Sequence, residues 1–156
     1  MRRIALFACA LCALWCGEPI TSAGPDIVMY ASDVTTIRGS WTRVADPSAA
    51  GSQKLASSDL GWSAIDAPLA LPENYFEIPF TAAGNTPYRV WVRVRASSNS
   101  KWNDAVWVQF SDSLTTANSA VYRIGTPSGL LVNLEACNAC GMANWGWPDG
   151  DRKSVV

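Results

Sequence analysis

The stretch Tyr88-Arg89-Val90-Trp91-Val92-Arg93-Val94-Arg95 alternates strictly between two kinds of side chain. Strand side chains leave on opposite faces with a period of two, so this pattern suits a half-buried strand and no helix. It places Tyr88, Val90, Val92 and Val94 on a core face and Arg89, Trp91, Arg93 and Arg95 on an outer one. A second strand follows the polar loop 96–104, with Val106, Val108 and Phe110 on its core face and Ala105, Trp107 and Gln109 opposite. In 74–80, Phe76, Ile78 and Phe80 share one face, and Pro79, which cannot donate to a ladder, marks an edge strand or a strand end. Shorter β-prone runs occupy 26–31, 40–45, 53–57, 120–124 and 130–134, separated by turns such as 46–51 and 125–129. The segment 58–72 reads as a loop pinned to the body by Trp62 and Ile65. With no helical stripe anywhere, the chain is expected to be all-β, an antiparallel β-sandwich.

The two ends read differently. Residues 1–23 have the form of a signal peptide: Arg2 and Arg3, an apolar run over 4–16 too short to span a bilayer, and Thr21-Ser22-Ala23 at the cleavage positions. The bulky Trp15 argues against an acylated Cys16. A secreted or cell-surface protein is expected, with no membrane association once the signal is removed. Asp151-Arg152-Lys153-Ser154-Val155-Val156 matches the in-frame translation of a common sequencing adapter (GAT CGG AAG AGC GTC GTG), so 151–156 is expected to be a non-native tail and 24–150 the domain.

Taking Arg2, Arg3, Arg152 and Lys153 from the 12 cationic residues, and Glu18 and Asp151 from the 13 acidic ones, leaves that domain mildly negative. Such a balance carries no electrostatic footprint for nucleic acid or anionic lipid. The chain has 0 histidines, which removes Ser-His-Asp and Cys-His catalysis and imidazole-ligated zinc. In an exported protein Cys137 and Cys140 read first as a disulfide closing a small loop. A redox pair would need a βαβ setting and a helix N-terminus, and zinc would need two carboxylates besides.

Candidate ligand chemistry lies in Trp102-Asn103-Asp104 and Asn144-Trp145-Gly146-Trp147. An indole offers an apolar plane to a sugar ring, while amides and carboxylates hydrogen-bond its hydroxyls. Packing is the competing reading for every tryptophan, and the preferred one for Trp41, Trp62 and Trp107; Trp91 fits either. Trp145 and Trp147 share a parity, so both face a ligand or both cap the fold. Asp104 could instead hold its own loop through backbone N–H groups. The arginine row suits acidic ligands or, more simply, the solvated face of a sheet. Glycoside hydrolysis needs two carboxyl groups roughly 5–9.5 Å apart. Asp104, Asp112, Glu135 and Asp149 supply carboxyls but no catalytic signature, and no enzyme is expected.

On Tyr88 to Arg93, Asn103 to Phe110, and Val132 to Gly141 leading into Trp145-Gly146-Trp147, the region 26–150 resembles the galactose-binding-like jelly rolls of secreted bacterial proteins, related to carbohydrate-binding module families six and thirty-five. The resemblance implies a sandwich whose end loops hold a sugar against aromatic rings. By position, Trp102, Asn103 and Asp104 would lie on one binding loop, Trp145 and Trp147 on the other, with Asn144 as a further hydrogen-bonding group. Many relatives open with Glu-Ala-Glu, which supplies ligands to a structural calcium; here Tyr30-Ala31-Ser32 and then Asp33 stand in its place, and no cofactor is expected. Relatives also finish with two or more further strands, expected to be missing here, which would leave apolar surface and strand edges open. The expected function is a non-catalytic carbohydrate-binding module whose partner is a polysaccharide or glycan, with further domains of the same chain as additional partners. The alternative is a structural or adhesive β-sandwich of a larger cell-surface protein, its aromatics serving packing and protein contacts.

Overall fold

The structure is a computed structural model that describes residues 25–134 and 144–148. The expectations for the signal peptide, Cys137 and Cys140, Glu135, Asp149 and the tail lie outside the described residues. The described residues form six strands: β1 (Thr36–Ile37), β2 (Trp41–Ala45), β3 (Gln53–Ser57), β4 (Phe76–Glu77), β5 (Ala105–Val108) and β6 (Leu130–Asn133). They pair antiparallel as β1–β4, β2–β3 and β5–β6, and the only helical elements among the described residues are three short 3-10 turns. The expected all-β character is therefore present, in the form of small antiparallel sheets. No helix among the described residues is long and apolar enough to cross a membrane.

The β2–β3 hairpin runs in register from Trp41 opposite Ser57 to Ala45 opposite Gln53. Its turn is built by Asp46, whose carboxylate accepts the Ser48 N–H at 2.9 Å, while the Asp46 N–H closes onto the Ser52 carbonyl. This is the local bonding that makes aspartate a turn former. At the entry to β2, Asn74 Oδ1 accepts the Ser40 N–H at 2.8 Å and fixes the chain before β4. Trp41 then meets Phe76 edge to face, with centroids 5.1 Å apart, the packing role expected of it.

In the β5–β6 pair, Val106 lies opposite Val132 and Val108 opposite Leu130. Leu130 and Val132 are the two most deeply buried large side chains among the described residues, and Val34 and Ala96 are buried with them. The core face of β5 is thus the one the alternation predicts. Trp107, on the other face, packs at Gly129, where an added Cβ would meet both the Pro68 ring and the indole. Beyond β5, the Gln109 amide donates to the carbonyls of Arg123, Thr126 and Ser128 at 3.0, 2.8 and 2.8 Å, tying down the turn around Gly125.

Three expectations need correction. The run 88–95 keeps most of its alternation, with Tyr88, Val90, Val92 and Val94 half-buried and Arg89, Trp91 and Arg95 exposed, while Arg93 is half-buried like its neighbours, and it forms no described ladder. It meets the chain at 144–148 through one antiparallel bridge, Val94 to Gly146, and a Val92 N–H bond to Pro148 O. A strand needs a partner as regular as itself, and a segment containing Gly146 and Pro148 is a poor one. The run 120–124 makes only bridges, from Ala120 to Leu114 and from Arg123 to Phe110, because Tyr122 takes a left-handed φ of 49°. Finally, 26–31 leads into a 3-10 turn at Ala31–Asp33 instead of a strand.

Two substitutions test this account of the core. Leu130→Ala should cost about 2–5 kcal/mol in urea denaturation, since Leu130 is only 2% exposed. Leu71→Ala, at a side chain 89% exposed, should change stability by no more than about 0.5 kcal/mol.

Candidate functional site

Trp102, Asn103 and Asp104 form the loop that enters β5, and the structure gives them three different positions. Trp102 is 69% exposed, with the Lys101 ammonium 4.5 Å from its ring centroid. Asp104 is buried, and its carbonyl accepts the Leu134 N–H at 3.1 Å, extending the β5–β6 pairing by one residue. Asn103 stands between them and donates to Asp59 Oδ2 at 3.1 Å. Within this loop, then, Trp102 is the group presented to solvent, Asn103 joins two loops and Asp104 anchors the base.

The Asp59 contact brings in Trp62, three residues further on, which the sequence assigned to packing. Asp59 Oδ1 accepts the Gly61 N–H at 2.9 Å, a turn that Gly61 permits with a φ of 69°. These two bonds, the Gly61 N–H first and the Asn103 amide second, hold the Asp59 carboxyl below its ordinary pKa. Trp62, the next residue, is 63% exposed, and Ile65 is 48% exposed, so neither pins this loop. Pro68, buried against Gly129, and the Asp59–Asn103 bond do so instead. The Asp-x-Gly turn before Trp62 was the available signal, since turns of this kind lie on the surface.

Asn144, Trp145 and Trp147 lie on the segment that bridges to 88–95. Because Val94 faces Gly146, the antiparallel register sets Trp145 opposite Arg95 and Trp147 opposite Arg93, all four on the outer face. Parity alone would treat the two indoles alike, yet they differ. Trp145 is half-buried, its ring under the guanidinium groups of Arg93 and Arg95 at 5.1 and 4.9 Å, and its Nε1–H donates to Ser48 Oγ at 3.1 Å. Trp147 stays 58% exposed. The hairpin turn covers one ring and leaves the other open.

Asp46 holds that arrangement. Its Oδ1 accepts the Ser48 hydroxyl at 2.6 Å, and its Oδ2 takes Lys54 Nζ at 2.8 Å and Arg95 at 3.3 Å. Lys54 foremost, then Ser48, drives the Asp46 carboxyl far below the ordinary carboxylate range. Arg93 adds a bond to the Ser48 carbonyl at 3.3 Å. A continuous relay therefore runs from the Trp145 N–H through Ser48 to Asp46.

Between the two aromatic regions lies an open cleft of about 530 Å³ lined by Arg95, Ala96, Ser97, Ser98, Asn99 and Asn144. Ser98 and Asn99 both hold left-handed backbone, with φ of 55° and 52°. The cleft brings Asn144 to the loop that leads into Trp102, but Trp102, Trp145 and Trp147 do not line it. At the position where the family resemblance implies calcium ligands, the one carboxylate among the described residues is that of Asp33. Asp33 spends its carboxylate on the Tyr30 N–H and the Ser32 hydroxyl, and no three metal-binding side chains converge among the described residues.

The depressed carboxyl of Asp46 has a pH signature. A folded-state pKa below the ordinary 3.8 contributes stability that is present above that value and lost as pH falls through the lower folded one. Asp46→Asn should therefore lower the denaturation midpoint at neutral pH, and its gap from the wild type should narrow as pH drops below 3.8. A gap independent of pH would remove the ionic role. Comparison with protein-family models, with curated proteins and with solved structures gave no match.

Proposed function

We propose that the chain is a non-catalytic carbohydrate-binding module of an exported protein, a β-sandwich of jelly-roll type that holds a sugar against loop tryptophans. One observation carries the reading: Trp102 and Trp62, 69% and 63% exposed, stand on two loops joined by the Asn103–Asp59 bond. Exposed indoles are costly surface, and placing two of them beside an amide and a carboxylate suits a ligand with an apolar ring face and a hydroxyl rim. Trp102 and Trp62 supply stacking planes, Asp59 accepts from hydroxyls, and Lys101 adds a donor. Asn103 contributes by holding the loops together, and Asp104 by anchoring them. Trp147 and Asn144 belong to a neighbouring surface, while Trp145 is a framework residue.

A structural or adhesive role in a larger cell-surface protein is the second reading. Val28, Leu69, Leu71 and Ile124 favour it, being more than half exposed and apolar without the rim of polar partners a sugar needs.

Affinity electrophoresis through gels containing a panel of neutral polysaccharides separates the two. The Trp62→Ala, Trp102→Ala double variant should keep its melting temperature, because both side chains are exposed, and should lose at least about tenfold in retention, equivalent to 1.4 kcal/mol. Retention that is absent in the wild type, or unchanged in the variant, would favour the adhesive reading.

A further inference from the structure

The loop that carries Trp102 is tied to itself through its main chain. It opens with a 3-10 turn at Ser97–Asn99, in which Ser98 and Asn99 take left-handed backbone. The Ser100 N–H then donates to the Ser97 carbonyl at 3.2 Å, and the Asn103 N–H to the Ser100 carbonyl at 3.0 Å. Between them the Trp102 N–H donates to Ser100 Oγ at 3.3 Å, and the Asn103 amide fastens the far end to Asp59. These bonds fix where the main chain of Trp102 stands. They do not fix its ring, because a side chain keeps several staggered choices unless packing removes them, and at 69% exposure little packing reaches this indole.

The Lys101 ammonium supplies the missing restraint. It lies over the ring, 4.5 Å from the centroid, within the distance at which an aromatic face attracts a cation. An indole has two faces. Lys101 covers one, and with so much of the side chain exposed the other is open to solvent. We infer that Lys101, beyond the donor it adds, is the positioning residue of the loop site: it closes one face of Trp102, and a sugar ring stacks on the face turned away from the ammonium. This role rests on the loop reading and names what orients its principal ring. A ring already oriented loses less freedom when a ligand lands on it. The gain cannot exceed the strength of the contact that orients the ring, about two- to fivefold in affinity for an exposed cation–π pair.

The test uses the full chain and a neutral polysaccharide that retains it. Lys101→Gln keeps N–H donors but removes the cation. It should keep the melting temperature and lose about two- to fivefold in retention, and Lys101→Arg, which still stacks on an aromatic face, should recover it. A second readout needs no variant at Lys101. In NMR spectra of the free protein the Lys101 ε-CH₂ protons should be shifted upfield by the Trp102 ring, a shift absent from Trp102→Ala. It should persist on saturation with an oligosaccharide of the same polymer, while sugar ring protons show NOEs to the Trp102 ring. Collapse of the upfield shift on saturation would mean that the sugar takes the Lys101 face, and would overturn the inference. So would the absence of that shift in the free protein, or unchanged retention by Lys101→Gln. Wild-type protein retained by no neutral polysaccharide would remove the loop reading and the inference with it, whereas retention lost in Trp62→Ala, Trp102→Ala but unaffected in Lys101→Gln would overturn the inference alone.

Discussion

The Asp46 carboxylate is the junction on which much of the described structure depends. It shapes the turn of the β2–β3 hairpin, pairs with Lys54 at the start of β3, reaches Arg95 at the end of the long alternating run and, through Ser48, fixes the indole of Trp145. Few large side chains among the described residues are fully buried, so hydrophobic burial does less of this joining than it would in a thicker core. An aspartate with two cations and a hydroxyl at hand can join segments far apart in sequence because every one of its bonds is charge-assisted. The same feature positions Arg93 and Arg95, whose stacking on Trp145 turns an arginine row into an ordered surface.

Much of the fold was legible from periodicity. The core face of β5, the β2–β3 and β5–β6 strands and the strand end near Pro79 follow from alternation and turn residues, which act locally. The run 88–95 shows where that reasoning stops. Its alternation survives as a burial pattern except at Arg93, but whether an alternating segment becomes a ladder depends on a partner far along the chain, and Gly146 and Pro148 limit that partner. Tyr122 fails for another reason: its left-handed backbone is set by the turn that Gln109 holds together, a long-range contact no local pattern announces.

The site was legible in part. Trp102 and Trp147 are exposed as ligand-facing residues must be, whereas Asp104 is buried and its main-chain carbonyl, not its carboxylate, accepts the Leu134 N–H. Trp145 could not be told from Trp147 by parity, because the difference comes from the hairpin turn above one ring only. Trp62 was hidden by the ordinary preference of tryptophan for burial. What exposes it is the pairing of Asp59 with Asn103, two residues that sequence distance keeps apart.

On the proposed reading, Trp62 and Trp102 touch a sugar while Trp41 and Trp145 serve the framework. The indole N–H resonances of a ¹⁵N-labelled chain report on each of its 8 tryptophans separately. Titrated with an oligosaccharide from a polymer that retains the protein, the Trp62 and Trp102 signals should move together and saturate at one affinity, with Trp41 and Trp145 unmoved. Saturable shifts confined to Trp41 or Trp145, or no indole shift with any glycan, would contradict the account.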